Sequence, residues 1–339
     1  MMNNTINRRV LIRSLLLLLF SSKFSLADTN NSKKFTIIFG SCSNQNNKMI
    51  HWKTIIDYKP DLLILLGDNV YGDFNNESAN QLKQAYKKLS ENSNFQYIKN
   101  NVPIISIWDD HDYGINDGGR NWKYKNIAKK LFLDFFSVNS NDLRYKRDGI
   151  YNSNDILLFN KKVKIVSLDT RYFKDDFILN QDRSLNKKYK IDYNKNKTIL
   201  GKEQWKWLNN ELKKEYDLLI LLSSFQVLST SHGWEKWNNF FYEREKLLKL
   251  LNKNRLSLIL SGDRHLAGIY NYKNIYEITA SSFNQRTFNT IEIDNLRVGE
   301  LVNKNNLGII ELDKTNIEIM LTSAKRKTKD VFNSIKLKY

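Results

Sequence analysis

Ten side chains able to bind a metal or move a proton fall just past apolar runs in this 339-residue chain. They are Cys42 in FGSCSNQ, Asp68 and Tyr71 in GDNVYGD, Asp109, Asp110 and His111 in DDHDYG, Arg171 in DTRYF, His232 in SHGW, and Asp263 and His265 in GDRH. Carboxylates gathered inside a protein repel one another and take up protons unless cations offset their charge. Metal ions are the economical cation. The thiol, phenol and imidazole of Cys42, Tyr71 and His265 suit a transition metal, whereas Asp110 and Asp263 with a side-chain amide suit a hard ion such as calcium or magnesium. Asp68, the first polar residue after its run and three before Tyr71, reads as the bridge between two such ions. Asn69 beside it and Asp109 are further candidates, as ligands or as partners that orient ligands.

Six short apolar runs precede these residues: FTIIF (35–39), LLILL (62–66), PIISIW (103–108), VKIVSL (163–168), LLILL (218–222) and LSLIL (256–260). Each has the length and unbroken hydrophobicity of a strand buried on both faces. Helix-patterned stretches alternate with them, among them ANQLKQAYKKLS, YKNIAKKLFLDFF and FYEREKLLKLLNK. Alternation of this kind predicts an α/β domain whose central strands are largely parallel. The carboxyl ends of parallel strands share one edge, so the polar segments are expected to converge there.

At 41% hydrophobic the chain can bury a large core, and no Pro/Gly/Ser-rich linker divides it. Its first 27 residues stand apart: Arg8, Arg9 and Arg13 precede LLLLLF, and small residues follow at Ser25–Ala27. That is the pattern of a signal peptide, too short to anchor the mature chain in a bilayer, and NRRVLIRS also fits a twin-arginine export signal. The expected organisation is a leader over 1–27 and one catalytic domain over 28–339, exported to the periplasm or beyond the cell. The formal charge is +18, which favours anionic partners. Lysine is dispersed among asparagines without an arginine-rich helix, so no specific nucleic-acid partner is indicated. Cys42 is the one cysteine, which excludes an internal disulfide and leaves a buried small hydrophobe or a ligand.

Taken in order, FGSCS, GDNVYGD, WDDHDYGIND, LDTRYF, SSFQ, HGWEKW and SGDRH resemble the alkaline phosphatase D (PhoD-like) metallophosphatases over roughly residues 35–285. The resemblance implies a metallophosphatase-like four-layer sandwich, two mixed β-sheets packed face to face with helices outside, and a dinuclear site at the strand ends. It implies Cys42 in place of the usual opening aspartate and histidine, Asp68 as bridge, and Tyr71 and His265 on the first metal. Asp110 falls where an asparagine ligand usually stands, His111 on the catalytic histidine, and Asp263 on the second metal. Gln226 in SSFQ sits near an expected histidine ligand. The family implies ferric iron with calcium. The motifs begin soon after the expected cleavage site, which matches compact forms lacking an amino-terminal β-domain, and LGIIELD and NIEIMLTS are expected to complete the second sheet before a basic tail.

The chemistry this predicts is hydrolysis of a phosphate ester, small or lipid, by a hydroxide held between two metals. His111 would steady phosphoryl oxygens or protonate the leaving group. Arg171 is placed either to grip phosphate through its fork or to bridge to Asp169. His232 and Trp234 in HGWEKW would wall the substrate pocket, and residues 175–197 would form a flanking loop or lid. Two other classes remain: a basic binding protein for phospholipid or nucleic acid, and a metal-dependent carboxylesterase, the latter without any GxSxG elbow to support it.

Overall fold

The computed structural model describes residues 34–182, 187–252, 255–328 and 330–339. The leader expected over 1–27 and part of the 175–197 loop lie outside them. The chain begins with β1 (Phe35–Gly40), α1 (His51–Tyr58), β2 (Leu62–Leu66), α2 (Asn80–Ser90), α3 (Ser93–Asn101) and β3 (Ile104–Ile107). It continues through α4 (Asp110–Tyr113), α5 (Lys125–Phe135), α6 (Leu143–Lys146), β4 (Asn152–Leu158), β5 (Lys161–Ser167), β6 (Ile178–Leu179), β7 (Tyr189–Lys190), α7 (Gly201–Glu211) and β8 (Leu218–Ser223). The last elements are α8 (Phe241–Leu251), β9 (Ser257–Ser261), β10 (Ala267–Tyr272), β11 (Ile275–Ala280), β12 (Arg297–Val302), β13 (Asn306–Leu312), β14 (Asn316–Ser323) and β15 (Val331–Lys338).

These strands make a six-stranded sheet, β15-β14-β13-β1-β2-β3, and a seven-stranded sheet, β12-β10-β11-β9-β8-β5-β4. Within them β1, β2 and β3 are parallel, as are β5, β8, β9 and β11, while the remaining neighbours are antiparallel. The apolar runs are continuous because both faces of each central strand are covered. Ile37 and Phe39 of β1 point into the core between the sheets with Ile165, Ile220 and Leu260, while Ile38 packs outward with Trp52 of α1 and Phe95 of α3. On the other side Leu219, Leu221 and Ile259 meet Trp205 of α7 and Leu247 of α8. Three packed interfaces therefore separate four layers, helix, sheet, sheet, helix, as the family resemblance implied.

Two expectations are corrected. LGIIELD and NIEIMLTS are β13 and β14, and they join the first sheet: β13 runs antiparallel to β1, pairing Ile37 with Ile310. The open edge of β1 opposite β2 accepts them, an edge that strand order along the chain does not announce. The basic tail is no tail either; VFNSIKLK is β15, an edge strand whose lysines face solvent, the usual protection of a free edge. In the 175–197 segment the described residues include the short β6–β7 pair, and Tyr189 Oη donates to Asp117 at 2.5 Å. That fastens it beside the WDDHDYGIND turn.

The two sheets touch where their parallel strands end. Ser41, just past β1, forms a parallel bridge with Ser281, just past β11. Gly67 makes the approach possible on one side: its φ is +99°, and a Cβ there would lie 2.5 Å from the Cβ of Asp109. Gly262 does so on the other, since a Cβ would come within 2.6 Å of Ser41 Oγ and 2.9 Å of the Leu66 carbonyl. The glycine of each GD pair is thus required by the neighbouring strand end.

Candidate metal centre

At this shared edge Cys42, Asp68, Asp263 and His265 all have left-handed backbone, with φ of 58°, 49°, 69° and 52°. Each such residue costs on the order of 1–3 kcal/mol, a strain that surrounding structure must hold and that concentrates at functional sites. The tight turns bring donors from both sheets together. One ligand atom each from Cys42, Asp68 and His265 lie within 4.8 Å of one another, and so do atoms of Asp68, Asp110 and His111. Asp68 is common to both groups, the position the bridging role requires. Tyr71 Oη is 3.3 Å from His265 Nε2, which sets the phenol beside the first group.

Each donor is held from behind. The Cys42 thiol donates to Asp68 Oδ2 at 3.6 Å and lies 3.2 Å from Ser281 Oγ. The backbone N–H of His111 donates to Asp68 Oδ1 at 3.3 Å, and the N–H of Asp117 donates to Asp110 Oδ2 at 2.7 Å. Asp112, fully buried, is the hub that sequence reasoning missed: it accepts from the N–H groups of Asn69 (2.6 Å), Val70 (3.1 Å) and Asp109 (2.9 Å). Asn69 donates through Nδ2 to Asp112 Oδ2 and the Ile107 carbonyl, so it clamps the two loops together.

The electrostatics are those of a cation site. Burial raises Asp68 well above the carboxylate range, with His111 opposing and Asp110 and Cys42 reinforcing. Burial would raise Asp110 too, but His111, Arg171 and the Asp117 N–H outweigh it and hold it below its ordinary value. Such opposed shifts mark carboxylates competing for one charge, a competition a cation removes. Burial, then the charges of Asp109, Glu235 and Asp110, raise Asp263. Burial also pushes the Cys42 thiol up to about 12 and raises Tyr71, so metal binding there must displace protons. His265 is pushed down to about 4 by burial and by His111, which keeps its imidazole neutral and able to ligate. The thiol, phenol and imidazole beside a carboxylate set are donors suited to a metal cation.

His111 differs from the other donors. Its Nδ1 lies 2.7 Å from Asp73 Oδ2 and its ring lies 4.3 Å from that of Tyr71, tilted by 35°. Burial lowers its pKa, but Asp110, Asp68 and Asp73 together push it up to about 11. Asp73, the second aspartate of GDNVYGD, is a partner that sequence reasoning also missed; its five-residue distance from Asp68 gives no sign of the contact.

Arg171 departs from the expected phosphate grip. Its side chain is fully buried, Nε donates to Asp109 Oδ1 at 2.6 Å, and the two terminal nitrogens donate to Glu235 at 2.8 and 2.7 Å. The fork is occupied by Glu235, so none is left for phosphate. Asp169 does not pair with it either; that carboxylate accepts from the Arg171 backbone N–H, Trp108 Nε1 and the Ile150 N–H. Asp109 is accordingly tied to Arg171, one oxygen remaining without a partner. Asp110, Asp117 and Glu235 also approach one another, but Asp117 is engaged by Lys188 and Tyr189 and Glu235 by Arg171. Gln226 donates through Nε2 to Thr279 Oγ1 at 2.8 Å, while its Oε1 is buried without a hydrogen-bond partner among the described residues. His232 accepts from the Trp234 N–H at 3.1 Å and is kept neutral by burial and by Arg264 and Lys236, while Trp234 is 44% exposed.

Comparison with known proteins identifies the family and the fold. The family model for PhoD-like phosphatases matches residues 37–327. The chain belongs to the PhoD-like phosphatase family. Alkaline phosphatase D of Bacillus subtilis (strain 168) is 23% identical over 297 residues, covering 74% of this chain and 49% of that protein. The chain thus spans about half the length of the curated relative it matches. A solved PhoD structure superposes with a TM-score of 0.70 at 16% identity, covering 91% of this chain and 69% of the other. A purple acid phosphatase from yellow lupin (Lupinus luteus) seeds superposes with a TM-score of 0.65 at 13% identity, covering 91% and 54%. Both share the fold of this PhoD-like chain, two mixed sheets flanked by helices.

Proposed function

We propose that this PhoD-like protein is an exported, metal-dependent phosphoesterase acting at a dinuclear centre. The observation that carries the proposal is the meeting of two donor groups at Asp68, Cys42 and His265 on one side and Asp110 and His111 on the other. Cys42, Asp68, Tyr71 and His265 would hold one ion, and Asp68, Asp110 and Asp263 the other. The resemblance to the alkaline phosphatase D family implies ferric iron for the first and calcium for the second, and the oxygen donors of the second suit a hard ion. Bound there, the ions would supply Lewis acidity, neutralising phosphoryl charge and bringing the pKa of water at the site near neutrality.

The chain's own residues do the rest. Asp73 holds Nδ1 of His111, which leaves Nε2 to deliver a proton to the departing oxygen. Arg171 and Glu235 fix Asp109 beside the cluster, and Asp112 fixes the backbone that carries Asp68 to Asp110. Trp234, exposed beside buried His232, offers a surface for the substrate's leaving group. The substrate class is a phosphate ester, small or lipid. The basic and apolar pattern of residues 1–27 supports their role as an export leader, and the core shared by both sheets supports one catalytic unit over 28–339.

Turnover of an aryl phosphate monoester and an aryl diester by the full chain tests this. Chelation is expected to abolish turnover and re-added iron with calcium to restore it, and His111→Ala is expected to lower kcat by roughly a hundredfold or more. Full-rate turnover by the chelated protein would overturn the proposal.

A further inference from the structure

Residues 286–296 border the centre with an inverted pattern. Glu292 turns inward to pair with Arg264, both side chains under a tenth exposed. Asp294 also turns inward, accepting from Ser229 Oγ and the Thr230 N–H at 2.9 Å each. The residues between and before them turn outward: Ile291 is 95% exposed, Ile293 80% and Phe288 54%. A solvated loop ordinarily shows its acids to water and hides its isoleucines, because exposed apolar surface costs about 25 cal/mol per Å². Here the ion pair and the Asp294 clasp hold the opposite arrangement in place.

This ridge stands at the mouth of the centre. The Phe288 ring lies parallel to that of His265, tilted by 12° with centroids 6.5 Å apart, and exposed Arg286 sits 5.3 Å from the Phe288 centroid. The segment that Asp294 clasps leads directly to Trp234, itself 44% exposed. We infer that the 286–296 ridge is a membrane-docking element, seating the mouth of the site on a bilayer that contains anionic lipid. Single isoleucines standing clear of the surface need no complementary groove, which suits entry into a fluid apolar phase. The tryptophan and the arginine–aromatic pair suit its interface, and the net charge of +18, or +14 without Arg8, Arg9, Arg13 and Lys23 of the leader (18 − 4), suits its anionic headgroups. Docking needs no turnover, so it stands or falls separately from the proposed catalysis.

The test uses the full chain with phosphatidylcholine vesicles, with and without phosphatidylglycerol. Ile293→Cys is labelled with an environment-sensitive dye; Cys42 is fully buried and does not compete. Partition of wild type is compared with an Ile291→Asn, Ile293→Asn double variant whose fold is checked by near-ultraviolet circular dichroism; the apolar leader is common to both. The dye is expected to shift to the blue on phosphatidylglycerol vesicles, and the double variant to partition roughly tenfold more weakly. A dye that stays in water on the phosphatidylglycerol vesicles, or a double variant that partitions like wild type, overturns the inference. So does a blue shift that grows with protein concentration in the absence of lipid, which would make the ridge a contact between copies.

Discussion

Arg171 spends all of its charge inside the protein, bridging Asp109 and Glu235 across residues far apart in the chain. Removing it leaves buried Asp109 unpaired and Glu235 with only Lys174 at 3.9 Å, a loss of about 3–5 kcal/mol. Arg171→Met is therefore predicted to lower unfolding free energy by that order in chemical denaturation. Arg171→Lys should recover little, because an ammonium cannot reproduce the fork. A second prediction concerns Asp73, whose partner among the described residues is the His111 imidazole. Asp73→Asn should lower kcat about tenfold with KM little changed, since orientation of a proton donor matters to the transition state and not to binding. Asp73→Glu should recover part of the rate; unchanged kcat in Asp73→Asn would dissociate the pair from turnover. Neither partner was legible in sequence. Glu235 lies 64 residues from Arg171, and Asp73 lies in a loop whose local spacing does not reveal which side chain it meets.

At the level of elements, the glycines of the two GD turns carry the geometry. Gly67→Ala places a Cβ 2.5 Å from that of Asp109 on a backbone at φ +99°. It is predicted to cost about 2 kcal/mol or more, read as a lowered melting temperature, and to weaken metal retention because Asp68 and Asp109 both move. Five of the six strands and their polar ends were legible because strands covered on both faces are written as unbroken apolar runs; β3 reads the same way but lies at the edge of its sheet, with Ile104, Ile105 and Ser106 only half-buried. β13 to β15 were harder to place. Their chain position says nothing about which edge of β1 is free, and β15 alternates lysines with half-buried residues, so its composition resembles that of a tail. The left-handed backbone at Asp68, Asp263 and His265 falls on residue types that adopt it more readily than most, but too weakly to be read from sequence, and Cys42 gives no sign of it.

For the molecule as a whole, the convergence of six strand ends at one edge was readable from the α/β alternation, and the donor set from the polar residues just past each strand. The contact between the two sheets, through Ser41 and Ser281, was not, because it joins residues 240 positions apart. The same contact region governs acid stability. His51 is 1% exposed, bonded through Nε2 to Ser43 Oγ at 3.0 Å, and stacked on Phe283; burial pushes its pKa down to about 3 from an ordinary value of 6.5. The folded state thus declines a proton that the unfolded state accepts. Its stabilising contribution is present above pH 6.5 and is lost as pH falls toward 3, with a slope on the order of 1.4 kcal/mol per pH unit. Denaturation series at several pH values should show this slope flattened in His51→Gln; an identical slope would assign acid unfolding to other groups, the buried His232 and His265 first among them.

The central claim, that Asp68 joins a transition-metal site to a hard-ion site, is tested most directly by elemental analysis of the purified protein together with its visible spectrum, for wild type and Tyr71→Phe. Two metal ions per chain, one a transition metal whose visible charge-transfer band disappears in Tyr71→Phe, is the predicted result. A correctly folded wild-type protein that remains colourless and free of transition metal, even after refolding with iron and calcium, would contradict it.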